Sequence, residues 1–168
     1  MRYTVFFGLL ISASATAWGG PISEQFGRGY EGVRWGLPLA DLVGMIPEGD
    51  HYFASTPGQR VYTVRDDAPL MGVPRSGNRV EYFLGKDGGV ESICIAIPYD
   101  RHQQLLGALI SQFGRYSQTI EVGDITYYYW RQDQQILISV RVTKNPRYGV
   151  AEFGINHLTA TSSRASAK

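Results

Sequence analysis

Few residues in this chain are of a type and spacing that could do acid–base chemistry. Asp66 and Asp67 are adjacent, and with His51 nearby in the sequence they could serve a small hydrolase of glycans or peptides, because a carboxylate pair can divide acid and base roles. Two acids in a loop are equally the composition of a solvated turn. His51, His102 and His157 fall in a strand start, a helix first turn and a late segment, and none belongs to H-E-x-x-H or another metal-ligand spacing. The single cysteine, Cys94, lies in the most apolar strand and reads as a small buried hydrophobe. Ser76 has no G-x-S-x-G elbow around it, and no phosphate loop or dinucleotide glycine pattern occurs. The expectation is therefore no catalytic residue, no metal and no cofactor.

Binding chemistry is better represented. Tyr127-Tyr128-Tyr129-Trp130 is the most unusual composition in the chain. On a strand, Tyr127 and Tyr129 share one face while Tyr128 and Trp130 share the other, so one pair looks away from the core. That pair is either an exposed platform for a protein or a glycan, or a strand surface packed on cross-strand neighbours such as Ile138 and Val140. A second candidate is the stretch from Asp66 to Asn78, with Pro69, Gly72, Pro74 and Gly77 but also Leu70, Met71 and Val73. A loop of this length is uncommon in a compact domain, and its apolar residues either contact a partner or cover an open end of a sheet.

The elements that must position these residues follow from periodicity. Val80, Tyr82 and Leu84 alternate with Arg79, Glu81 and Phe83, and Val90 to Ile97 returns after Gly85-Lys-Asp-Gly-Gly89, which predicts a hairpin. Pro98 ends the return strand. Asp100 with Gln103 has the spacing of a capping box, and Leu105, Leu106, Leu109, Ile110 and Phe113 follow at helical spacing up to Gly114, a natural C′ residue. An earlier short helix is expected from Pro38 through Leu39, Leu42, Val43 and Ile46. Strands are expected around Tyr30 to Gly36, His51 to Ala54, Gln59 to Arg65, Thr119 to Val122, Ile125 to Arg131, Gln135 to Thr143 and Tyr148 to Ile155.

The chain begins with Arg2, an apolar run from Val5 to Ile11 and the small residues Ser12 to Ala17, the pattern of a secretory signal peptide cleaved after Ala17 or Ala15. Residues 18–29, with four glycines and a proline, read as a linker, residues 30–158 as one α+β domain, and residues 159–168 as a flexible tail. Without Arg2, basic and acidic residues balance at 15 each, which argues against a nucleic-acid or anionic-membrane binder. No apolar run beyond the leader approaches the ~20 residues of a spanning helix, so no stable membrane anchor is expected.

The fold class expected is α+β: two helices packed on one face of a twisted, mainly antiparallel sheet of six to eight strands. Leu42-Val-Gly-Met-Ile46 and Leu105-Leu-Gly-Ala-Leu109 echo one another, either by chance or through a duplicated strand-helix-strands unit. Gly32-Val-Arg-Trp-Gly36 before a short helix, and Tyr82-Phe-Leu84 before Asp87-Gly88, resemble the order of elements in the β-lactamase-inhibitor-protein and outer-membrane-assembly small-subunit folds. That resemblance covers residues 30–155 loosely and implies a two-layer exported module that binds other proteins. Their lipid anchors and disulfides have no counterpart here, so no binding residue carries over. The function expected is a non-enzymatic, periplasmic or extracellular protein-binding domain (an inhibitor, immunity factor or envelope assembly subunit) with Leu70, Met71, Val73, Tyr127, Tyr128, Tyr129 and Trp130 as contacts. The alternatives are the hydrolase and a glycan-binding module.

Overall fold

The computed structural model describes residues 22–44, 51–56, 59–65, 68–77, 79–132, 134–145, 147 and 149–158. The leader, the tail, Asp66, Asp67 and the side chain of His51 lie outside the described residues. Chain order is α1 (Ile22–Phe26), β1 (Gly29–Tyr30), β2 (Val33–Arg34), α2 (Leu39–Gly44), β3 (His51–Thr56), β4 (Gln59–Arg65), β5 (Arg79–Leu84), β6 (Val90–Pro98), α3 (His102–Phe113), β7 (Gln118–Val122), β8 (Ile125–Trp130), β9 (Ile136–Thr143) and β10 (Val150–His157).

Strands β3 to β10 form one eight-stranded antiparallel sheet in the order β3-β4-β5-β6-β10-β9-β8-β7. Each half is a four-strand meander entered from a helix, α2 before β3 and α3 before β7, and the halves meet where β6 pairs with β10. The centre of the sheet is thus built from the last strand of each half. The expected β5–β6 hairpin is present, with a register shift between Phe83 and Leu84 that resets the alternation at its turn end.

Register assembles the core in rows. Trp130, Ile138, Ile155, Ile93 and Tyr82 are successive cross-strand partners, and beside them run Tyr128, Val140, Phe153, Ile95 and Val80. All but Tyr128 are buried, so strict alternation puts one apolar face of five strands out of water. Leu105, Leu106, Leu109 and Phe113 of α3 are buried in the same core, to which α2 contributes Leu42. Each fully buried aliphatic or aromatic side chain contributes about 1.5–3 kcal/mol of transfer free energy.

Four details differ from expectation. Within the stretch read as a linker, α1 buries Ile22 and Phe26, and the Phe26 ring lies 5.9 Å from that of Phe113 and 6.5 Å from that of Phe153. Glycine frequency concealed two apolar residues one helical turn apart. The strand expected from Tyr30 to Gly36 is instead the tight β1–β2 hairpin, turned by Glu31 and Gly32, both at positive φ. The capping box at Asp100 does not form, because Tyr99–Arg101 is a 3-10 turn whose backbone satisfies the N–H of His102 through the Tyr99 carbonyl. Asp100 is left exposed, 3.7 Å from Arg101. Ile110, at the border of the α3 stripe, is 42% exposed. The other end of α3 is as expected, with Gly114 at φ 79° donating its N–H to the Ile110 carbonyl.

Candidate functional site

The loop residues Leu70 and Val73 exchange two backbone hydrogen bonds of 2.9 and 2.8 Å around Met71 and Gly72, which take φ of 52° and 79°. This small hairpin places Leu70 and Val73 in the core, at 3% and 0% exposure, with Met71 half-buried against it. Two residues on, Arg75 is buried and donates to the Tyr30 hydroxyl at 2.6 Å and to Glu31 Oε1 at 2.7 Å. The loop thereby ties the β1–β2 hairpin to the sheet.

Strand β8 divides its four aromatic residues. Trp130 is 1% exposed and donates Nε1–H to the Gly114 carbonyl at 2.8 Å, and Tyr128 is half-buried with its ring 5.1 Å from Tyr116. Tyr127 and Tyr129 lie on the opposite face, with ring centroids 6.0 Å apart and planes 8° from parallel. Of the seven expected contact residues, only these two stand on that second face.

What stands beside them is set by register. Ile120, Tyr127, Arg141, Glu152 and Ala96 form one cross-strand row, and Gln118, Tyr129, Ser139, Gly154, Cys94 and Glu81 form the next. Among the described residues, β5 to β10 carry half-buried or exposed side chains along this face, which we term the open face. Near its middle, Arg141 Nη1 donates to both oxygens of Glu152, at 2.8 and 2.9 Å. That pairing is the main reason the guanidinium is held above its ordinary range, with Tyr127 adding a smaller contribution. Arg141 Nε is enclosed without an acceptor. Gly154 keeps the floor low between Cys94 and Ser139, since a Cβ there would come 2.7 Å from Ser139 Oγ.

Two depressions flank the Glu152 side chain. One, of about 400 Å³, lies among Val122, Ile125, Arg141 and Thr143, and the other, of about 290 Å³, lies among Ser76, Glu81, Cys94 and Ala96. Val150 and Glu152 line both. Burial, then the Glu152 and Glu81 charges, push the Cys94 thiol up to about 12 against the opposing pull of Arg141. At neutral pH the thiol is protonated, and Arg141 and Glu152 neutralise one another.

The remaining histidines serve local packing. His102 bonds through Nδ1 to the Tyr99 carbonyl and packs on the Tyr99 ring at 4.9 Å. His157 stacks on Trp35 at 5.6 Å, and Trp35 Nε1 donates to the Phe26 carbonyl. Among the described residues no group of three or more His, Cys, Asp or Glu side chains is placed to hold a metal ion. No described helix is long and apolar enough to cross a membrane.

Glu81, Arg141 and Glu152 were not singled out from the sequence. Their signal was present as the polar half of period-two strands, but the same pattern marks any solvated sheet face, and only register brings the three together. Comparison with family models, curated proteins and solved structures found no match to this chain.

Proposed function

We propose that this protein is an exported, non-enzymatic protein-binding domain that engages its partner with the open face of the eight-stranded sheet. The observation that carries the proposal is the side-by-side placement of the parallel Tyr127 and Tyr129 rings with the Arg141–Glu152 pair on a face with two shallow depressions. Aromatic rings supply contact area at low entropic cost, and a polar pair among them supplies orientation, the usual anatomy of a protein interface. Leu70, Val73 and Trp130 act in this reading as core residues that hold the face in shape, with Met71 and Tyr128 at its supports. The residues 1–17 leader takes the chain to the periplasm or the exterior, and its two helix-plus-meander halves arose by duplication, with α2 and α3 on one face and the partner on the other.

The test is capture of envelope proteins from the native host by the purified protein and by Tyr127→Ser/Tyr129→Ser, with folding checked by circular dichroism. One protein held by the parent and lost by the folded double variant supports the proposal. Equal retention by both, or retention of envelope glycans alone, overturns it.

A further inference from the structure

The geometry points to a second interaction surface: two copies of this chain associate edge to edge, β7 pairing with β7 of the second copy about a two-fold axis at Ile120. Strand β7 ends the sheet, so among the described residues one side of its backbone has no strand partner. All five of its residues are exposed. Among the described residues the exposed large hydrophobics are Ile110, Ile120 and Val122, at 42, 37 and 61%, and two of these three lie on this strand. Glu121 is the one charged residue on this edge: β7 has no proline, lysine or arginine, and its pairing with β8 runs from Gln118 to Val122 without a register shift.

A second copy fits this edge without a clash of charge, and charge selects its register. An antiparallel copy centred on Ile120 sets Ile120 against itself, Gln118 against Val122 and Thr119 against Glu121, so no like charges meet and all five residues pair. Centring on Glu121 would set that carboxylate against its own copy, and centring on Thr119 would leave Val122 opposite a residue outside the strand. Glu121 is already matched by Lys144, whose Nζ lies 2.8 Å from its Oε2, so the favoured register adds no unpaired charge. The two-fold axis is perpendicular to the sheet, and Ile120 neighbours Tyr127 across the β7–β8 pair. The open faces of both copies therefore become one continuous surface. Pairing of five-residue strands buries less than the ~1,200–2,000 Å² of a stable interface, so the dissociation constant is expected on the order of 100 µM.

The test uses the purified protein carrying Cys94→Ser, to remove the native thiol, with Ile120→Cys or Val122→Cys. Under mild oxidation Ile120→Cys, on the axis, forms a disulfide-linked dimer, and Val122→Cys, facing Gln118 of the other copy, does so at least about tenfold more slowly. Sedimentation equilibrium of the parent shows a concentration-dependent dimer, and Ile120→Lys weakens it by about tenfold or more because two ammonium groups meet on the axis. Ile120 and Val122 are exposed, so these variants keep the parent's circular dichroism. A monomer throughout the concentration series, or equal cross-linking at both positions, overturns the inference.

Discussion

Tyr128 and Trp130 belong to the same six-residue strand as Tyr127 and Tyr129, yet the two pairs have opposite surroundings. On one side the β8 rings meet Tyr116 and the carbonyl of Gly114, in the segment that follows α3. On the other, Tyr127 pairs with Arg141 and Tyr129 with Ser139 across the β8–β9 ladder. Residue type cannot produce this difference, because three of the four residues are tyrosine. It arises from the chain leaving α3 through Gly114 and folding Tyr116 over one face of β8. Which face of β8 stays open is thus decided by what the chain folds over the other.

The most severe way to break this comparison is Trp130→Ala. Truncating a side chain that is 1% exposed, and orphaning the Gly114 carbonyl, should cost about 3–5 kcal/mol. The check is a urea unfolding midpoint lowered at unchanged slope. A loss of less than about 1 kcal/mol would mean that the two faces of β8 are not different in kind.

How far the sequence foretold this is clear from the same residues. The period of two told which tyrosines share a face, and the hairpin at Gly85 to Gly89 with the helix up to Gly114 was legible because turn chemistry and periodicity agreed. Which β8 face is covered was not legible, because Tyr-Tyr-Tyr-Trp has no polar half to mark the wet side. Leu70 and Val73 stood out as apolar residues in a loop, but their inward placement depends on Met71 and Gly72 both adopting positive φ, which Met seldom advertises. Asp100 looked like a cap because local spacing cannot see a 3-10 turn inserted before the helix.

Cys94 sharpens the comparison from the open side. Burial and the neighbouring carboxylates raise the Cys94 thiol above its ordinary value, so alkylation by iodoacetamide should be at least about tenfold slower in the folded protein than in urea. Because Glu81 faces Cys94 across the β5–β6 pair, Glu81→Gln should raise the native rate by a small factor. An unchanged rate would mean that burial alone sets the thiol. Tyr127→Ser/Tyr129→Ser should lower the unfolding free energy by about 1–2 kcal/mol, less than the several expected for Trp130, while removing partner binding. A large loss of stability from this pair would make both faces structural.

The smallest effect belongs to His157, at the rim of the covered face. It pairs across the sheet with buried Ile136 and stacks on Trp35, and burial lowers its pKa from the ordinary 6.5, with Glu91 pulling in the opposite direction. The unfolded chain therefore binds more protons at this position than the folded one as pH drops below 6.5, and folded stability rises with pH there. The contribution is fully present above that value and is lost as pH falls through the depressed native pKa. Urea midpoints measured from pH 7 down to pH 5 should fall more steeply for the parent than for His157→Gln. Glu91→Gln, which removes the opposing charge, should make the parent's slope steeper still. Parallel curves for the parent and His157→Gln would place the imidazole in water and move the boundary of the covered face inward, to Ile155.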